Sequence, residues 1–147
     1  MLTFNDILKL AKNGNKAPKK RVEKTLEEWK ELLTEEEYYI TRERGTEPGM
    51  SSGLCHIYEP GKYACVCCGT ILFDSNSKFE SKSGWPSFTE PVKDNVISYF
   101  EDNGHSMNRI EVRCSTCDAH LGHVFNDGPQ ESTGLRFCVN GIALKKV

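Results

Sequence analysis

The sequence predicts a mainly β protein: a small antiparallel β domain preceded by N-terminal helices and stapled by a four-cysteine metal site. Three observations carry this expectation. The first 45 residues hold helix-capping signals with apolar residues at helical spacing. From Gly45 onward glycines and prolines become frequent, and apolar runs shorten to strand length. Two C-x-x-C pairs, with 45 residues between them, then supply four thiols for one tetrahedral site.

Thr3 is the predicted cap of a first short helix carrying Phe4, Ile7, Leu8 and Ala11 and stopped near Asn13-Gly14. Asn15 to Arg21 reads as a polar connector. Thr25-Leu26-Glu27-Glu28 is a capping box, because the threonine hydroxyl meets the amide three residues on while Glu28 reaches back. Leu26, Trp29 and Leu33 share the face of the helix that follows. Thr34-Glu35-Glu36-Glu37 repeats the signature before Tyr38, Tyr39 and Ile40. These apolar residues are expected to pack the helices onto the domain body.

Predicted strands follow at 63–65, 71–73, 96–100, 107–113, 122–125, 135–139 and 142–144. Asp102-Asn103-Gly104 is expected to turn a hairpin, since Asn-Gly tolerates positive φ. Ile110 and Val112 alternate with Glu111 and Arg113, which predicts one buried and one solvated face.

At 147 residues the chain fits one domain with a real core. Apolar residues make up 37% and charged residues 27%, which indicates a folded protein rather than a disordered one. The net charge of −2 gives no global field toward nucleic acid or membrane. The one basic cluster, Lys16, Lys19, Lys20, Arg21 and Lys24, reads as a solvated face or linker. The N-terminus lacks the features of a secretory signal, and no run has the length of a membrane span, so a cytoplasmic location is expected.

Seven cysteines cannot all pair within one chain. Cys65 with Cys68, and Cys114 with Cys117, are the C-x-x-C pairs, and their spacing suits a closed Cys₄ site for structural Zn²⁺. Cys67 also lies in the first knuckle, and Gly69 suits the sharp turn after it. Such a site strengthens folding and offers no open position for substrate. Zinc ribbons and rubredoxin-type iron sites share the spacing, so the pattern specifies metal and not function.

Cys138 sits in Gly134-Leu135-Arg136-Phe137-Cys138-Val139-Asn140-Gly141 and has no C-x-x-C partner. In a strand, Arg136, Cys138 and Asn140 share one face, with Phe137 and Val139 on the other. A guanidinium beside the sulfur favours thiolate over thiol. A strand cysteine is also compatible with an inert core residue. His120 and His123, followed by Asp127, form a set able to donate a proton and orient the donor, or alternatively a surface metal pair or packing residues. In Gly84-Trp85-Pro86-Ser87-Phe88 the proline stiffens a loop presenting Trp85, as core or as the wall of a substrate cage.

Taken together these residues resemble the methionine-R-sulfoxide reductase family, the MsrB type. The resemblance rests on Leu33 to Tyr38, Thr41 to Glu47, both cysteine knuckles, Gly84 to Phe88, the run from Cys117 to Pro129, and Gly134 to Asn140, all in the family's order. It sets apart residues 1–32 as a helical extension from a reductase domain at 33–147. It implies two antiparallel sheets, a structural zinc remote from the active site, and reduction of the R epimer of methionine sulfoxide, free or in oxidised proteins. By the same resemblance Cys138 is the nucleophile, and His120 and His123 bind and protonate the sulfoxide oxygen. Asp127 and Asn140 complete the polar network, Arg136 supports the thiolate, and Trp85 receives the substrate methyl group. A monomer regenerated by thioredoxin or a similar dithiol is implied as well.

One position departs from a common pattern of the family, in which a resolving cysteine stands where this chain has Ser83. Cys55 is the preferred substitute, Cys67 the next, and direct attack by an external thiol the third route. Two other classes share parts of the pattern: a zinc-ribbon binding module with an inert Cys138, and a rubredoxin-like electron carrier.

Overall fold

Each of the three α-helices among the described residues starts on a threonine that the sequence marks as a cap. In the computed structural model, which describes residues 2–49, 59–104 and 108–147, α1 spans Phe4–Asn13, α2 Leu26–Leu32 and α3 Glu35–Arg42. Thr3, Thr25 and Thr34 each accept the amide three residues on, while Asp6, Glu28 and Glu37 accept the threonine amide in return. Each reciprocal box satisfies two orphan donors, and a cap of this kind contributes about 1 kcal/mol. α1 ends at Gly14, as Asn13-Gly14 predicts.

The helices bury only part of what their apolar spacing offers, since Leu8, Leu26 and Tyr39 stay exposed. Ile7 of α1, Trp29 of α2 and Ile40 of α3 all lie in the main core cluster. The connector between α1 and α2 is bolted down rather than loose. The Asn15 amide group exchanges two hydrogen bonds with the backbone of Tyr99, and Val22 N–H donates to Thr116 O at 2.8 Å. Arg21 grips the Asp118 carboxylate with both terminal nitrogens, while Lys19 and Lys20 stay exposed. Among the described residues no helix is long and apolar enough to cross a membrane.

The described strands are β1 (Lys62–Cys65), β2 (Ile71–Asp74), β3 (Lys78–Phe79), β4 (Ser87–Phe88), β5 (Ile97–Asp102), β6 (Arg109–Cys114), β7 (His120–Phe125), β8 (Arg136–Val139) and β9 (Leu144–Lys146). They form two antiparallel sheets, a small one in the order β2-β1-β9 and a larger one in the order β3-β4-β8-β7-β6-β5. Aromatic rings join them. Phe73 of the small sheet stacks on Phe88 of the large sheet at 4.3 Å, and Tyr63 and Phe137 meet this pair edge-on. Offset and edge-to-face contacts of this kind add to the burial of the rings themselves.

Four local expectations need correction. Residues 141–143 form a 3₁₀ turn and not the start of a strand, so β9 begins at Leu144. Ser87–Phe88 is a strand in the sheet, because its backbone completes the β8 ladder. Asp102-Asn103-Gly104 does lead the hairpin between β5 and β6, but the Asp102 carboxylate accepts Gly104 N–H, an Asx-type turn, and neither Asn103 nor Gly104 takes positive φ. Finally, Glu111 on the supposedly solvated face of β6 is only 1% exposed.

Candidate active site

β8 places Cys138 in the middle of the large sheet, opposite Ser87 of β4 on one side and His123 of β7 on the other. Phe137 and Val139 turn into the core, while Arg136, Cys138 and Asn140 all line a pocket of about 290 Å³. Trp85 and His123 line the same pocket, as do Arg109 and Thr46. A larger groove of about 780 Å³ runs past Lys19, Lys20, Lys62 and Lys93, and none of the candidate catalytic residues faces it.

Two histidines three residues apart on a regular strand point to opposite faces. Here an extra residue removes the conflict. Val112 pairs with Gly122 and Arg113 with His120, so Leu121 is bulged, and the two imidazoles meet edge to face at 5.8 Å. Gly122 permits the close strand approach beside Cys138, since a Cβ there would overlap the Cys138 carbonyl. His123 faces the pocket and His120 lies behind it, buried.

Each ring has its own carboxylate. The His120 Nδ1 is 2.7 Å from Glu111 Oε2, and His123 Nε2 is 2.8 Å from Asp102 Oδ2. The hydrogen bond with His123 draws Asp102 down to about 2. Burial alone raises Glu111, but His120 and Arg113 outweigh it and bring its pKa to about 2. Burial also lowers His123 despite Asp102. That pair is therefore a carboxylate accepting a neutral imidazole N–H. Asp127 takes no part in it: the exposed carboxylate binds Arg136 through Nε at 2.9 Å and Nη2 at 3.3 Å.

Burial is the first influence on the Cys138 thiol and holds it above its ordinary value. Arg136 and the Ser83 hydroxyl pull it down less than burial raises it, and Glu47 adds to the rise. Arg136 thus acts in the expected direction without making the resting thiol acidic. Glu47 also frames the site. Its carbonyl accepts Trp85 Nε1–H at 2.9 Å, its N–H donates to Asn140 Oδ1 at 3.0 Å, and its buried carboxylate accepts Ile142 N–H.

Of the candidate resolving thiols, Cys55 lies outside the described residues, and Cys67 is half-buried with its sulfur 3.3 Å from the Thr41 hydroxyl. Cys65, Cys68, Cys114 and Cys117 converge from the two knuckles, all four sulfurs within 4.8 Å of one another. Gly69 takes φ +80° in the first turn. The Cys65–Cys117 and Cys68–Cys114 separations are 3.7 and 3.6 Å. A tetrahedron with metal–sulfur bonds of about 2.3 Å has edges of about 3.8 Å, so the thiols fit a single ion. Thiols this close cannot all ionise without a cation between them.

The SelR domain model matches residues 33–147. The chain belongs to the MsrB family. A relative from Pseudomonas paraeruginosa (strain PA7), called peptide methionine sulfoxide reductase MsrB, is 51% identical over 127 residues, 86% of this chain and 96% of the relative. Proteins of the same name from Leptospira interrogans and Chromohalobacter salexigens are 51% and 49% identical over 124 residues, each covering 84% of this chain and 94% and 93% of their own length. Within this MsrB fold, sequence reasoning missed Glu47, Asp102, Arg109 and Glu111. The signal for the last two was the charged alternation along β6, which reads equally as a wet face.

Proposed function

We propose that the chain is a methionine sulfoxide reductase acting on the R epimer, free or within oxidised proteins, through a sulfenic acid on Cys138. The observation that carries this reading is one pocket lined together by Cys138, His123, Trp85 and Asn140. The Cys138 sulfur attacks the sulfoxide sulfur while its oxygen gains a proton. Methionine leaves reduced by two electrons, and Cys138 retains the oxygen as a sulfenic acid. Trp85 receives the methyl group, Arg136 supports the thiolate through its place beside it, and Asp127 holds Arg136 in turn. His123 faces the reacting atoms directly, with His120 in support.

A second thiol then condenses with the sulfenic acid, releasing water and forming a disulfide, and thioredoxin or a similar dithiol exchanges it. Cys55 is the preferred resolver within the chain. The Cys₄ cluster holds Zn²⁺, which ties the knuckles of β1 and β6 together and takes no part in the reaction. The protein works as a monomer in the cytoplasm, with residues 1–32 as an extension to the reductase domain at 33–147.

The test is turnover of both sulfoxide epimers with a dithiol reductant, wild type beside Cys138→Ser. R-specific reduction that disappears in the variant, with metal content and melting temperature kept, supports the assignment. Retained turnover in the variant overturns it.

A further inference from the structure

Two residues beyond the end of α3 lies a side chain that reaches both acid–histidine pairs. Arg44 follows the C-cap Glu43 at φ +56°, a left-handed position that usually takes glycine or asparagine. A non-glycine residue held there signals a constraint beyond helix termination. Its guanidinium supplies one: Arg44 Nη2 is 3.1 Å from Glu111 Oε1 and 3.6 Å from Asp102 Oδ2. Arg113 grips Glu111 through Nε and Nη2, both at 3.0 Å, and Arg109 approaches Asp102 at 3.5 Å. Two carboxylates, two imidazoles and three guanidiniums therefore form one connected network behind the pocket.

The hydrogen-bond inventory gives this network a direction. A carboxylate only accepts, so His123 presents Nε2–H to Asp102, and His120 presents Nδ1–H to Glu111. Among the described residues the second nitrogen of each ring has no hydrogen-bond partner, and in the neutral ring that nitrogen is an acceptor. To give a proton to a sulfoxide oxygen, the ring must first become imidazolium. A carboxylate on the opposite nitrogen stabilises that form and fixes which nitrogen faces outward.

We propose that Asp102 and Glu111, bridged by Arg44, are positioning residues that orient His123 and His120 and supply the negative charge their imidazolium forms require. The inference rests on the reductase reading for its effect on turnover, whereas its effect on the rings is independent of any substrate. Arg44 sets the balance. It neutralises part of the charge on both carboxylates and joins the two pairs in one network. The charged groups around His123 are Asp102, Arg109, Arg44 and Arg136, with His120, Glu111 and the Cys138 thiol on the same three strands. Those around His120 are Glu111, Arg113, Arg44 and His123.

The experiment uses the full metal-loaded chain and compares Asp102→Asn, Glu111→Gln and Arg44→Gly. Nitrogen NMR of the imidazoles reports tautomer and protonation without substrate, and kcat against pH reports the acid in turnover. A required acid is lost as pH rises through its pKa. Removing the partner carboxylate lowers that pKa, so the alkaline limb of kcat moves to lower pH in Asp102→Asn and Glu111→Gln. The expected loss in kcat at pH 8 is roughly a hundredfold with KM little changed. Arg44→Gly, which suits the left-handed backbone, returns full negative charge to both carboxylates and moves the limb the other way.

Unchanged imidazole tautomers and an unmoved alkaline limb in a folded variant overturn the proposal. Should either carboxylate variant fail to fold, Arg44→Gly decides alone, and an unshifted limb with unchanged imidazole signals refutes the bridge. If the wild type reduces neither epimer, the reductase reading fails while the nitrogen spectra still decide the positioning role.

Discussion

The Ser83 hydroxyl oxygen lies 4.0 Å from the sulfur of Cys138. It belongs to a small hydroxyl cluster, since Ser81 Oγ is 2.7 Å from both Ser83 Oγ and Ser87 Oγ. Lys82 at φ +61° and Gly84 at φ +91° shape the loop that points Ser83 at the sulfur. A serine there can only hydrogen-bond. A cysteine has to close the gap to about 2.05 Å, which side-chain rotation on a loop can supply. Ser83→Cys is therefore expected to form a disulfide with Cys138 on treatment with methionine-R-sulfoxide. Peptide mass mapping and thiol titration check this, and two free thiols after a full turnover would refute it.

The Cys138 thiol provides a second prediction. Because burial holds the folded thiol above its ordinary value, the thiolate fraction at neutral pH is smaller than in a free cysteine. Iodoacetamide alkylation of Cys138 is expected to be slow at pH 7 and to keep rising beyond pH 9. Arg136 pulls the other way, so Arg136→Ala slows alkylation at pH 8 by about threefold to tenfold. A rate that levels off below pH 8 in the wild type contradicts the dominance of burial.

How much of this was legible beforehand depended on the range of the interaction. The three capping threonines and the Arg136–Cys138–Asn140 face involve neighbours in the chain, and the structure places them as their spacing indicates. The two knuckles were legible because thiol spacing is itself the signal. His120 and His123 share a face only because Leu121 is bulged, and a bulge has no local signature here. Glu111 looks solvated in an alternating strand, yet Arg113 two residues along joins Arg44 and His120 from other elements to enclose it. Asp127 was matched to the histidines by proximity in sequence, whereas the fold hands it to Arg136.

The metal centre extends its hold to the helices. Arg42 Nη1 donates to Cys117 O at 2.8 Å and Nη2 to Cys117 Sγ at 3.1 Å, while the guanidinium stacks over Trp29 at 4.1 Å. Loss of an ion bound by the four thiols is expected to loosen α2 and α3 as well as the knuckles. Cys114→Ser is expected to lose bound metal and cooperative unfolding at ambient temperature, given apparent binding energies of about 10–16 kcal/mol for structural zinc in peptides. Arg42→Ala should keep the metal but lower the melting temperature. Metal analysis and calorimetry check both, and a metal-free Cys114→Ser protein that melts like the wild type would remove the structural role.

Glu47 offers a stability test whose sign is fixed by its burial. Its carboxylate accepts Ile142 N–H at 2.8 Å, and its second oxygen is buried with no hydrogen-bond partner among the described residues. Burial, the first cause, raises its pKa above the ordinary value, so the folded chain holds this proton more tightly than the unfolded chain. Stability from that difference is present below the unfolded carboxyl pKa and is lost as pH rises through the folded one. Glu47→Gln keeps an acceptor for Ile142 and carries no charge. The variant should therefore gain on the wild type as pH rises above the ordinary carboxyl pKa, by about 1.4 kcal/mol for each unit of the shift removed. Because Glu47 also raises the Cys138 thiol, the same variant is expected to alkylate faster at Cys138. Denaturation across that pH range supplies the first reading and iodoacetamide the second. A stability gap that stays constant with pH would show that Glu47 ionises as freely in the folded protein as in the unfolded chain.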